Sequence, residues 1–314
     1  MSWITERIHP LGGTARGIIA ILTGVLLLSF SDALVKLSGD RFGLAQLVLL
    51  RSIVAALMLA VWLMLTSGLS GLRLVSPGWV WARSLCLAAM WLSYYAALPV
   101  MSFALAAACY YTSPIWMALL GRCLLGMTIG SRGWTAVVLS LAGVLLAVSP
   151  SPDSFTPLLL LPLAAAGFYA MAGIITWSHC QAESPGAMAF TLNTCLVGVA
   201  AVGIVVLAVV QPTGEESFVL SVWPRLTIAD WSLTVLLGGL LAIITTVVAL
   251  AYSLAPTPVV GVFDTAYLGF AAVWGVLFFE DVPTAREGMG IVLIACSAIL
   301  MSGSGQKKRS LLLI

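Results

Sequence analysis

Apolar residues run along this chain in long blocks. Ten can be marked, at 17–36, 44–66, 79–98, 102–125, 132–149, 158–178, 185–210, 231–254, 257–279 and 287–303. Each is near the length, about 20 residues, that an α-helix needs to cross a bilayer. The connections are short except 211–230, which holds Gln211, Pro212, Gly214, Glu215 and Glu216. Its last part, Phe218–Trp231, is expected to form a short helix on the surface. Arg7 and Arg16 precede the first block as they would in a secretory leader. Asp32 and Lys36 follow where a small-residue cleavage pattern would stand, so the block is read as helix 1. Pro99 and Pro114 in the first half, and Pro256 and Pro258 in the second, mark kinks or short turns between helices 3–4 and 8–9.

Composition sharpens this picture. Of 314 residues, 61% are hydrophobic and only 8% are Asp, Glu, Lys or Arg, against about 25% charged in ordinary soluble proteins. A soluble fold could not cover its outside with so little charge. Nucleic-acid binding, disorder and a soluble catalytic domain are equally poor fits, and the lipid bilayer is the expected partner. The six cysteines show no metal-type spacing and read as small buried hydrophobes. His9 and His179 are far apart, so neither a catalytic nor a metal cluster is expected, and no cofactor is implied. There is no GxxxxGK[ST] phosphate loop, which leaves a gradient or the solute itself as the energy source.

The placement of Lys and Arg orients the chain. With ten spans and a cytoplasmic N-terminus, Arg7, Arg16, Arg73, Arg83, Arg132, Lys307, Lys308 and Arg309 lie inside. Arg41, Arg225 and Arg286 lie outside. Both termini are therefore expected in the cytoplasm, with 304–314 as a basic tail at an anionic leaflet. Trp79, Trp81, Trp134, Trp177, Trp223 and Trp231 fall at expected helix ends, as an interfacial belt requires.

The chain also repeats. A shift of 154 residues lays helix 4 and its sequel over helix 9 and its sequel. It aligns Gly121 with Gly275, Arg132 with Arg286 and Tyr110 with Asp264. Five spans per half is an odd number, so the halves would run in opposite senses. Such inverted repeats place a binding site near the midplane between them.

Charge inside hydrocarbon costs about 2.5–3.5 kcal/mol per residue on insertion scales, so the few candidates are informative. They are Asp32, Lys36, Arg51 and Asp264, with Arg122 and Glu280 near helix ends. Asp32 and Lys36 are four apart on one face of helix 1 and can pair; Arg51 begins helix 2 on the same, outer side. This set reads as a charged outer gate, as an anchor for a zwitterion, or as an ion cluster that only fixes helix 1 on helix 2. In the anchor, Lys36 or Arg51 holds the carboxylate and Asp32 the ammonium. Asp264 lies well inside helix 9, about 10 Å from its inner end at 1.5 Å per residue. It suits proton coupling, a cation anchor, or a hydrogen-bonded core acid. Trp91, Tyr94, Tyr95, Tyr110, Tyr111, Trp116, Tyr169, Tyr267 and Trp274 fall within spans. They can line a path that takes an aromatic or cationic solute, or simply pack. Asn193 in helix 7 can hydrogen-bond across helices.

The segment SDALVKLSGDRFGLAQLVLLRS, Ser31–Ser52, resembles the opening of an EamA-type member of the drug/metabolite transporter superfamily. Asp32, Lys36 and Arg51 match its acidic residue and Lys late in helix 1 and its helix-2 Arg. TSPIWMALLG, Thr112–Gly121, is similar to the family's mid-helix pattern, and VFDTAYLGFAAVWGVLFFED, Val262–Asp281, to its helix 9 with a closing acid, Glu280. In the first half the position aligned with Glu280 is Gly126, so that acid has no partner across the halves. The resemblance covers about 17–303. It implies an all-α polytopic membrane protein with ten transmembrane helices as two inverted five-helix repeats, 17–150 and 151–303, after a cytoplasmic segment 1–16. It implies helices 5 and 10 as scaffold or dimer surface, and a bacterial inner-membrane carrier, monomer or homodimer, that exports amino acids, their derivatives or other small metabolites. Helices 3, 4 and 6 line the path in the family, which singles out Tyr95, Tyr111, Trp116 and Tyr169.

The expectation is thus alternating-access export of a small-molecule substrate, an amino acid or amine derivative, with protons as candidate coupling ions. The substrate-binding or gating residues are Asp32, Lys36, Arg51, Tyr95, Tyr111, Trp116, Tyr169, Asn193 and Asp264. A lipid-precursor or phosphorylated-metabolite translocator stands beside that reading. An intramembrane enzyme would need HExxH or paired carboxylates, which the sequence lacks.

Overall fold

The computed structural model describes residues 11–39, 41–126, 130–148, 160–180, 182–210, 218–254 and 263–304. His9, Arg7, Pro256, Pro258, the acidic stretch 211–217 and the basic tail lie outside these residues. The described chain is mostly helical, and no strand occurs in it. Its helices are α1 (Leu11–Leu37), α2 (Leu44–Ser67), α3 (Pro77–Ala97), α4 (Phe103–Tyr110), α5 (Ser113–Leu125), α6 (Ser131–Val148), α7 (Leu161–His179), α8 (Pro185–Val210), α9 (Ile228–Leu254), α10 (Ala266–Phe279) and α11 (Ala285–Ser304). Among the described residues five stretches are long and apolar enough to cross a membrane: Ala15–Leu37, Leu44–Ser67, Phe103–Leu124, Pro185–Val210 and Ile228–Val248. Hydrocarbon offers backbone groups no other partner, so unbroken helices are the expected form of such blocks.

One block is broken. The fourth expected span divides into α4 and α5 around Tyr111–Thr112, because Pro114 has no N–H to give and its ring would strike the carbonyl four residues back. Local bonds absorb the interruption. The Thr112 hydroxyl donates to the Cys109 carbonyl at 2.7 Å, and Ile115 N–H reaches the Thr112 carbonyl at 2.9 Å. A second interruption falls at Thr265, a turn residue just before α10. It lies 154 residues beyond Tyr111, the same shift that relates the sequence halves.

The helices pack in recurring pairs. α6 lies along α11, α3 on α7 and α8, α1 on α9 and α10, α2 on α8 and α9, and α4/α5 on α7 and α10. Close approach depends on glycine at two crossings. A Cβ on Gly143 would stand 2.9 Å from the Gly290 carbonyl, and one on Gly238 would stand 2.5 Å from Val54 Cβ. Gly275 serves no such purpose, since a Cβ there would meet the Asp281 carbonyl at an ordinary 3.8 Å.

The connection before α9 differs from expectation. Residues 221–227 form no helix. Phe218 is buried, its carbonyl accepts Leu44 N–H at 2.6 Å, and the Pro224 carbonyl accepts Gln46 Nε2 at 3.0 Å. The segment thus spends its backbone carbonyls on the start of α2, and α9 begins only where Thr227 and Asp230 cap it reciprocally, at 2.9 and 3.3 Å. Trp79, Trp81, Trp134, Trp223 and Trp231 are all exposed, as an interfacial belt requires.

α5 and α10 end alike. Gly126 closes α5 with φ 66°, and Glu280 closes α10 with φ 54°, the one non-glycine with positive φ among the described residues. These two positions are also 154 apart, so what they share is a left-handed cap rather than a charge. A side chain there costs about 1 kcal/mol. Glu280→Gly is expected to raise the unfolding midpoint in detergent, and Glu280→Ala to leave it unchanged or lower it. A lower midpoint for the glycine variant would remove this account.

Candidate functional site

Helix packing brings one carboxylate to the centre of the bundle. Asp32 sits five residues before the end of α1 and is 2% exposed. Tyr95 of α3 donates to its Oδ1 at 2.9 Å and Tyr267 of α10 to its Oδ2 at 2.6 Å. Arg51, seven residues into α2 and 1% exposed, donates through Nη1 to the Tyr95 hydroxyl. A phenol has one proton, and Tyr95 gives it to Asp32 while accepting from Arg51. That hydroxyl therefore stands between the two charges, and three helices, α1, α2 and α3, meet on it. Tyr267 has likewise spent its proton on Asp32, so across the 3.3 Å between them Tyr94 must be the donor.

Arg51 is otherwise held by rings. Its guanidinium carbon lies 4.9 Å from the Trp91 centroid and 4.7 Å from that of Tyr95, distances at which the ring faces attract the cation. Its Nε and Nη2 atoms are buried and meet no acceptor among the described residues.

The rings continue. Tyr267 faces Tyr111 at 5.2 Å and 31°; Tyr111 meets Tyr110 at 5.5 Å, and Tyr110 meets both Tyr94 and Tyr169 at 5.5 Å. Six of the chain's seven tyrosines thus form one cluster. Packing alone would scatter them, so the concentration points to a polar centre. Asp264 lies at its far side, where the Tyr111 hydroxyl bonds to its carboxyl and Tyr110 and Tyr169 are close enough to feel its charge. Both helix interruptions open here: Tyr110 and Tyr111 border one, and Asp264 borders the other.

The structure therefore gathers Asp32, Arg51, Tyr95, Tyr111, Tyr169 and Asp264. It places the remaining sequence candidates elsewhere. Lys36 does not pair with Asp32. Its Nζ donates to the Met101 carbonyl at 2.6 Å, stands 3.8 Å from Asp281 and lies over Phe279 at 4.9 Å. Four-residue spacing puts the two side chains on one face, but the long Lys stem reaches toward the helix end. Near it Arg41 meets Asp230 at 3.1 Å, so two ion pairs tie α1 and the α1–α2 connection to the second half. Trp116 is 38% exposed, and no hydrogen bond or ring contact among the described residues joins it to the cluster. Asn193 is buried, but its Nδ2 bonds to the Ala189 carbonyl of its own helix at 3.0 Å rather than across helices, and its Oδ1 has no partner among the described residues. Tyr94, Tyr267 and Trp91 were visible only as rings within spans, and Asp281 only as the residue after a helix-ending acid. The one signal for Tyr267 was its place three residues, one helical turn, beyond Asp264.

At the opposite end of α3, the Glu183 carboxylate accepts the Val75 and Ser76 amides, Val75 at 3.0 Å, and caps the helix from the α7–α8 connection. Arg83 Nε bonds to Thr176 Oγ1 at 2.8 Å, and Trp79 stacks on His179 at 3.7 Å. Both ends of the bundle are thus tied by polar contacts between its first and second halves.

Three comparisons bear on this arrangement. A solved crystal structure superposes with a TM-score of 0.60 over 92% of this chain and 97% of its own, at 20% identity, a likeness that speaks for the fold alone. The riboflavin transporter of Rhizobium johnstonii is 27% identical over 247 residues, covering 77% of this chain and 76% of its own length. The sequence model of the EamA-like transporter family matches residues 15–149. The matched residues supply Asp32, Arg51 and Tyr95, so over this stretch the chain is similar to the EamA-like transporter family.

Proposed function

We propose that the protein is a secondary carrier that exports a small metabolite, an amino acid or amine derivative, by alternating access. In this reading ten crossings form two inverted repeats, 17–150 and 151–303, with both termini on the cytoplasmic side of a bacterial inner membrane. The observation that carries it is the buried Asp32, which takes one hydrogen bond from Tyr95 in the first half and one from Tyr267 in the second. A charge costly to bury, shared between two halves inside the bundle, is what a carrier needs and a scaffold does not. Helix pairing lends support. Counting α4/α5 as one span, exchanging each span with the one five places on maps α3–α7 onto α9–α1, α2–α9 onto α8–α3, and α1–α10 onto α7–α5. The similarity of 15–149 to the EamA-like transporter family supports transport, and the two ion pairs at Lys36 and Arg41 suit an outer gate.

A planar heteroaromatic solute is the second reading. The curated relative is named for riboflavin, and the Tyr111 and Tyr267 rings, 5.2 Å apart and tilted by 31°, offer faces on which a flat ring can stack.

Purified protein in liposomes decides between them. Efflux of labelled amino acids and amines is expected, and riboflavin is the competing cargo. Movement of a phosphorylated sugar alone would overturn both substrate classes. In the same assay Asp32→Ala is expected to abolish transport while the protein still inserts and remains folded; full transport by that variant removes Asp32 from gate and anchor alike. Asp264→Asn is expected to abolish any dependence on an imposed proton gradient, and persistence of that dependence would take Asp264 out of the coupling role.

A further inference from the structure

Arg51 carries more donors than its surroundings use. Nη1 bonds to Tyr95, while Nε and Nη2, both on the outer edge of the guanidinium, are buried without an acceptor among the described residues. A buried N–H left unpaired is costly, and more so when the group is charged. Among the described residues no carboxylate stands within ion-pair distance of Arg51, and Tyr95 screens Asp32 from it. The Trp91 and Tyr95 rings hold the guanidinium in place. This leaves a rigid pair of parallel N–H groups, the geometry that matches two oxygens of one planar acid. Lys36 is not free for that task, being committed to the Met101 carbonyl and Asp281.

We propose that the Nε–Nη2 edge of Arg51 is the docking edge for a carboxylate on the transported solute. The inference rests on the carrier reading and narrows it: the solute is an acid or a zwitterion, not a simple amine. The acid supplies the counter-charge that the bundle withholds from Arg51. Because Nε and Nη2 are shut off in this conformation, the edge meets its ligand only as the surrounding helices part, which ties recognition to the transport movement. A zwitterion adds no net charge there, and its ammonium has the tyrosine rings and Asp264 within the same cluster.

The test uses full-length protein in liposomes and probes that differ only at the acid: tryptophan against tryptophanamide, and indole-3-acetate against indole-3-acetamide. Each acid is expected to move at least about tenfold faster than its amide. Arg51→Lys keeps the charge and loses the fork, so it is expected to bring the ratio near one. Should that variant fail to fold, the wild type still answers through phenylglyoxal labelling of Arg51 read by peptide mass, which the acids are expected to slow and the amides not. Equal movement of acid and amide, a ratio retained by Arg51→Lys, or labelling indifferent to the acids would each overturn the inference while leaving a carrier. Riboflavin moving when none of the four probes does has the same meaning. If nothing moves, the carrier reading falls and the inference with it.

Discussion

Two opposite charges, Asp32 and Arg51, are buried in a bundle built almost wholly of hydrocarbon, and their satisfaction constrains the rest. In lipid there is no hydrophobic gain in pressing one apolar helix on another, so side-chain fit and hydrogen bonds decide how helices dock. The single Tyr95 hydroxyl takes a proton bond from Arg51 and gives one to Asp32, which fixes the rotation of α1, α2 and α3 together. Tyr267 adds α10. Glycine provides the complementary fit, letting α9 approach α2 at Gly238 and α11 approach α6 at Gly143. Polar contact sets rotation, and small residues set separation.

The interruptions at Tyr111–Thr112 and Thr265 obey the same constraint. A break in a spanning helix frees backbone groups, which hydrocarbon cannot satisfy, so it is tolerated only against protein or water. Both breaks open onto the tyrosine cluster. There Thr112 and Thr265 begin new turns through their own carbonyls. The costly backbone and the costly charges are thus confined to one place. The lipid-facing shell can then stay apolar, as exposed Leu57, Val61, Leu65, Val205 and Val209 illustrate.

Much of this was legible in the sequence. The blocks gave the helices because bilayer thickness dictates length, and Pro114 marked the break because its ring forbids the bond. Asp32, Arg51 and Asp264 stood out because charge within such blocks is rare. What could not be read was rotation. A helix apolar all round has no stripe to show which face turns inward, so the partial exposure of Trp116 could not be read, and Tyr267 was not singled out from the other rings. Lys36 shows a related limit, since spacing names the face but not the reach of a long side chain. The 218–227 segment shows another: its bonds to Leu44 and Gln46 are tertiary, and no local pattern announces them.

Asp32 has two oxygens, and each is bonded to a different half of the chain. Movement of α10 against α3 must break one of these bonds or carry the carboxylate with one partner. Breaking it leaves a buried phenol and a buried carboxylate oxygen unpaired at once. That is unfavourable unless something polar arrives to take their place. A solute able to hydrogen-bond there lowers the barrier to the movement, whereas water-free separation does not. The same contacts that hold the halves together therefore make their separation depend on what is carried. Tyrosine suits the task because its ring stays packed while its hydroxyl changes partners.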